Sequence, residues 1–161
     1  MKYDDYLEQG RMDKDDLTAW LKRLKKKSPR KLDDVFQRHH DEVFEKIDCL
    51  ECANCCKTTS PIFRDVDVKR IAKKMRIPII EFEQQYLKKD SDGDLVLQST
   101  PCPFLYDDNS CGIYDVRPQA CKEYPHTNQR KVTQVLELTQ RNIDICPAVC
   151  QIVSNVKTEL G

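Results

Sequence analysis

The sequence predicts an α+β fold, mostly α: a small single domain with a short β-hairpin and an N-terminal helical leader. Three observations carry this expectation. Apolar residues recur at helical spacing along most of the chain, turn-rich segments bracket short apolar runs only between residues 90 and 114, and nine cysteines occur in 161 residues. The apolar share is 39% and falls to roughly a third once the cysteines are set aside, below the usual ~45–50%. So thin a core needs further support, and the thiols are the residues able to supply it through a metal.

Residues 14–27, "KDDLTAWLKRLKKK", place Leu17, Trp20, Leu21 and Leu24 on one face. Acids come early and lysines late, which suits the helix dipole, and Pro29 ends the helix. A second helix fits 31–48 through Leu32, Val35, Phe36, Val43 and Ile47. Residues 1–48 are thus a helical leader, and 49–161 the cysteine-cluster metal-binding domain. In "RDVDVKRIAKKM", Val68, Ile71, Ala72 and Met75 form a stripe, and Pro78 opens another helix through Ile80, Phe82 and Tyr86. A turn at 90–93 leads into the strand "DLVLQS". "CPFLY" and "CGIY" flank the polar turn "DDNS" as a small hairpin. Residues 129–141 are read as helix, although "VLELT" would suit a strand. Pro147 then stands where a first helical residue would, followed by Val149, Ile152, Val153 and Val156.

Charge is balanced, 27 basic against 27 acidic side chains, so no global field draws the chain to nucleic acid or a membrane. Its start has no apolar signal-peptide core, and no run approaches the ~20 apolar residues that span a bilayer. The expected compartment is a reducing cytoplasm, where disulfides rarely persist. Nine is an odd count, and metal ligation is favoured over a disulfide framework. The stretch Lys22–Lys31 holds seven basic residues in ten; a solvated helix end is the expected reading, a protein partner the alternative.

"CLECANCC" at 49–56 sets Cys49, Cys52 and Cys55 at C-x2-C-x2-C spacing, with Cys56 following at once. Zinc sites normally use separated cysteine pairs, whereas three thiolates at this spacing resemble the ferredoxin-type run. Adjacent side chains usually diverge, so Cys55 and Cys56 are expected to serve two centres, or a centre and a free thiol. Cys102, Cys111, Cys121, Cys146 and Cys150 are scattered later. Cys146 precedes the helix-opening Pro147, where free backbone N–H groups are expected to lower its pKa. Cys150, one turn on, is expected to be an ordinary buried thiol. His39 and His40 read as surface or packing residues, and His126 as a candidate ligand or supporting donor. Arg117 could compensate a negatively charged tetrathiolate. No residue pair forms a general acid–base or nucleophilic constellation, so catalytic residues stay unassigned.

Through "CLECANCC", "CPFL", "CGIYDVRPQAC", "YP" and a late cysteine-proline, the chain resembles the CxxCxxCC cysteine-cluster family, the YkgJ-like zinc- or iron-chelating domains. The resemblance covers about residues 49–148 and leaves the leader outside. It implies a metal role for Cys49, Cys52, Cys55, Cys56, Cys102, Cys111, Cys121 and Cys146, with Cys150 outside the pattern. Tyr114, Arg117, Pro118 and Pro125 match motif positions without implied chemistry. The family's cysteine motif is shared with flagellin lysine N-methylases, which are considerably longer; no Gly-rich loop for a nucleoside cofactor occurs here.

The expected function is therefore a cytoplasmic metal-binding protein whose thiolates hold iron, as an iron–sulfur cluster, or Zn2+. The alternatives are a protein-modifying enzyme of the lysine N-methylase kind using a cluster-bound cofactor, and a zinc-stapled protein-interaction module. Replacing Cys52 or Cys55 with Ser is expected to remove metal and destabilise the fold, because Ser is not ionised at neutral pH. Cys150→Ser should cost only about 1–3 kcal/mol, for an imperfectly satisfied hydroxyl. Metal content and thermal melting of the three variants side by side check this.

Overall fold

The computed structural model describes residues 2–161. Helices α1 (Asp4–Lys26), α2 (Leu32–Phe44), α3 (Cys49–Cys52), α4 (Asn54–Thr58), α5 (Asp65–Met75) and α6 (Ile79–Tyr86) come first. Strands β1 (Leu87–Lys89) and β2 (Leu95–Leu97) follow, then α7 (Gln119–Glu123), α8 (Leu136–Asn142) and α9 (Pro147–Leu160). The fold is α+β and mostly α. Its contacts divide it into two compact units, Met1–Cys52 with Pro125–Gly161, and Ala53–Tyr124.

In the first unit α1 packs on α9 and α8, and α2 packs on α9. The expected stripe of Leu17, Trp20, Leu21 and Leu24 is buried, as are Phe36 and Val43 of α2 and Val149, Ile152, Val153 and Val156 of α9. Helix α1 begins ten residues before the apolar stripe suggests, because Tyr3 and Leu7 are also buried. The Tyr3 hydroxyl donates to Glu51 (2.8 Å) and accepts from the Asp48 N–H (3.0 Å), anchoring the turn that bears Cys49. Gly10 marks the tightest approach: a Cβ there would lie 2.3 Å from the carbonyl oxygen of Ile143. Helix α2 stops at Phe44, short of the expected 48, and Ile47 is buried beyond it. Asp33 accepts from the N–H groups of Lys131 (2.7 Å) and Val132 (2.9 Å). It thereby caps a 3-10 turn at Val132–Val135, which leads into α8 and resolves the ambiguous 129–141 segment as helical.

The second unit is built on Phe63, Val68, Ile71, Phe82, Leu87, Leu97, Phe104 and Ile113. Phe82 and Phe104 stack with ring centroids 6.2 Å apart, and Tyr86 tilts against both. Strands β1 and β2 pair antiparallel, Leu87 opposite Leu97 and Lys89 opposite Leu95. Their turn is closed by Asp90, which accepts from the N–H groups of Asp92 and Asp94, with Gly93 at φ 82°. The hairpin expected around "DDNS" is reduced to a single bridge, Leu105 to Cys111. The named ladder is β1–β2 instead, formed by a "LKK" segment with no strand pattern of its own. No helix among the described residues is long and apolar enough to cross a membrane.

Asp67 is fully buried at the start of α5. Its carboxylate accepts from the Arg64 N–H (2.9 Å), the Arg64 guanidinium (3.2 Å), the Arg70 guanidinium (2.9 Å) and the Gln119 N–H (3.3 Å). Burial pushes its pKa up, but the hydrogen bonds from Arg64, Arg70 and Gln119 outweigh it and hold the group at about 2.

Gly10→Ala is expected to lower the melting temperature. Helix propensity alone favours Ala by about 1 kcal/mol, whereas overpacking against fixed backbone costs about 1–3 kcal/mol, and at 2.3 Å the clash should prevail. A raised melting temperature would refute the close approach. Acid should act through Asp67. Because its folded pKa lies below the ordinary 3.8, its contribution is present above that value and is lost as pH falls from about 4 toward 2, amounting to ~2 kcal/mol. Denaturant titrations across that range should show this loss in the wild type and not in Asp67→Asn.

Candidate metal centre

In the first unit the single turn α3 carries Cys49 and Cys52, and i,i+3 spacing puts both on one helix face. Cys146 is the N-cap of α9 and is buried. Its thiol lies within electrostatic reach of Cys49 and Cys52, and the nearby N–H groups of Val149 and Ala148 act to lower its pKa, although that of Val149 bonds to the Cys146 carbonyl (3.1 Å). Those donors are the ones expected from its place before Pro147. The expected fall in pKa does not follow, however: burial dominates and pushes the thiol up to about 12. A helix terminus stabilises an anion locally, while desolvation is set by everything packed around it.

Cys150 is fully buried one turn further along α9. Burial pushes its thiol up, it is hydrogen-bonded to Ser154, and its charged neighbour is Asp13 rather than another cysteine. His39 is buried against Glu159 (3.2 Å), His40 meets the Thr127 hydroxyl (2.8 Å), and His126 Nδ1 meets the Gln129 side-chain amide (2.7 Å).

In the second unit Ala53, left-handed at φ 49°, starts α4. Cys55 and Cys56 sit in its first turn, and the Cys56 carbonyl accepts the N–H of Cys102 (2.8 Å). Cys102 and Cys111 lie on the two arms of the turn tied by the Tyr106 N–H to Ser110 (2.9 Å) and the Gly112 N–H to Phe104 (2.7 Å). Cys121 lies in α7, its N–H bonded to the Pro118 carbonyl (3.0 Å). The structure thus gathers Cys56, Cys102, Cys111 and Cys121 within electrostatic reach of one another.

Burial governs the acidity of three of these four thiols. Burial pushes Cys121 up to about 12 and also raises Cys102 and Cys111. Only Cys56 is lowered, to about 7, chiefly by its hydrogen bond with the Cys55 thiol. Backbone N–H groups of Phe104 and Leu105 face the Cys102 sulfur, and that of Ile113 faces the Cys111 sulfur. Arg117 opposes the burial effect at Cys111 and Cys121, as expected of a compensating cation. Its guanidinium stacks 3.9 Å from the Tyr114 ring centroid and donates to the Tyr114 carbonyl (2.7 Å). Four mutually repelling thiolates flanked by amide donors and one cation fit a bound metal, which would supply the missing positive charge.

Three residues that hold the segments carrying these thiols escape a reading of the sequence: Tyr3, Asp67 and Arg70. Asp67 stands three residues after Arg64, the spacing of a capping box, but Arg in place of Ser or Thr hides the signature. Elsewhere, Asp90, Asp92 and Asp94 bring carboxylates within 4.8 Å in the β1–β2 turn, where Asp90 already accepts two backbone N–H groups.

No curated protein and no solved structure matches the chain. A family model does, CxxCxxCC, described as "Putative zinc- or iron-chelating domain", over residues 48–152. The matched range takes in all nine cysteines, Cys150 included, and extends past the 49–148 that the motifs mark. The chain belongs to the CxxCxxCC family of zinc- or iron-chelating domains.

Proposed function

We propose that this protein is a metal-binding protein of a reducing, cytoplasmic compartment that holds iron through cysteine thiolates, as an iron–sulfur cluster. The ligands on this reading are Cys49, Cys52, Cys55, Cys56, Cys102, Cys111, Cys121 and Cys146. The observation that carries it is the convergence of Cys56, Cys102, Cys111 and Cys121 from four separate segments of the second unit. Cys49, Cys52 and Cys146 form a second set in the first unit.

The C-x2-C-x2-C run of Cys49, Cys52 and Cys55 favours a cluster over a single zinc ion, which normally takes separated cysteine pairs. When bound, a cluster supplies one-electron chemistry and folding energy. The chain's own contribution is to bury Cys52 and Cys146 and half-bury most of the other thiols, aim N–H groups at Cys102 and Cys111, and set Arg117 beside Cys111 and Cys121.

Protein made and purified without oxygen is expected to be brown and to contain iron and acid-labile sulfide in defined ratio, with Cys121→Ser losing most of both. Colourless protein carrying stoichiometric zinc would overturn the iron assignment. Neither metal above background would overturn the metal reading itself.

A further inference from the structure

We propose that Asp67 and Arg70 are positioning residues for the thiolate centre of the second unit: an ion pair on α5, its carboxylate buried, that holds the segment bearing Arg117 and leading into Cys121. This rests on the metal reading above. Capping α5 needs one acceptor at its start, which a Ser or Thr would provide without burying a charge. Asp67 is instead fully buried and ion-paired to both Arg64 and Arg70. The surplus contacts all go to one place. Arg70 donates to the carbonyls of Val116 (3.2 Å) and Arg117 (2.8 Å), and Asp67 accepts the Gln119 N–H (3.3 Å).

These three atoms belong to three successive peptide groups, 116–117, 117–118 and 118–119. The backbone on both sides of Arg117 is therefore held, and the rigid φ of Pro118 stiffens what lies between. The third peptide group also carries the Pro118 carbonyl, which accepts the Cys121 N–H (3.0 Å). A continuous path of hydrogen bonds thus runs from the α5 ion pair to the cysteine. Arg117, between these anchors, is the cation beside Cys111 and Cys121. Groups that orient ligands from behind typically change metal affinity by about 10–100-fold when removed.

The test uses the full chain with its metal. Arg70→Lys keeps a cation for Asp67 but lacks the fork that reaches two carbonyls. Ile71→Val, in the apolar core of the same helix, is the control for loss of stability alone. Metal release to a chelator is timed for both at equal distance below their melting temperatures. Arg70→Lys should load the same amount of metal and release it roughly tenfold faster, while Ile71→Val releases it as the wild type does. With iron bound, Arg70→Lys and Arg117→Gln should both lower the reduction potential, and the double variant should shift it by less than the sum. Should Asp67→Asn fold, it should behave as Arg70→Lys. Equal release from Arg70→Lys and Ile71→Val would overturn the positioning role while leaving the metal reading intact. A wild type that binds no metal would remove both.

Discussion

Burying a thiolate is costly unless a cation or a set of donors replaces the water it loses, and the second unit depends on how that cost is met. Cys56, Cys102, Cys111 and Cys121 face one another from α4, both arms of a tight turn, and α7. Left to themselves Cys102, Cys111 and Cys121 stay protonated, as the rise of Cys121 to about 12 records, and Cys56 alone is lowered. The helices and turns of this unit are too short to be stable alone. A metal that draws the four sulfurs together would therefore also close the chain around them. On the proposed ligand assignment, ligation and folding would be a single event.

The apolar packing does a different task. In the second unit it fixes the frame, Phe82 stacked on Phe104 and Ile71 beneath α5, while polar contacts set the fine position of the ligand-bearing loops. The first unit follows the same division. Its helices interlock through Leu21, Phe36, Ile152 and Val153, and Gly10 lets α1 approach the backbone at Ile143. A tyrosine hydroxyl and a glutamate then settle the turn ahead of Cys49. Cores of this kind tolerate exchange among apolar residues of similar volume; a buried carboxylate bonded to two guanidinium groups tolerates far less.

What the sequence makes legible follows the range of the force involved. Helical stripes are local, so Leu17, Trp20, Leu21 and Leu24 show the buried face of α1 directly. Gly10 lies inside α1, where glycine costs helix stability, and only the approach of Ile143 accounts for it. The strand β1 is invisible in "LKK", since its extended form comes from its partner β2. The donors at Cys146 were legible from Pro147, yet the direction of its shift was not, because burial sums over residues from distant parts of the chain. The cysteines announce a metal by spacing and by family motif. Which of them share a neighbourhood depends on the fold: Cys56 joins Cys102, Cys111 and Cys121, whereas Cys49 and Cys52 meet Cys146. The apolar stripe of α5 says nothing of Asp67 and Arg70, whose partners lie in the distant Val116–Gln119 segment.

The order of segments along the chain has a consequence for biosynthesis. The unit formed by Ala53–Tyr124 is continuous, so all four of its clustered thiols have left the ribosome once Cys121 has. The other unit is split around it: α1 and α2 are made early, but the helix they pack on starts only at Pro147. Since nascent chains fold as segments emerge, the amphipathic faces of α1 and α2 stay uncovered while the whole intervening unit is translated. On the proposed ligand assignment, metal delivery to Cys56, Cys102, Cys111 and Cys121 could thus precede completion of the helical unit, whereas Cys49 and Cys52 would wait for Cys146.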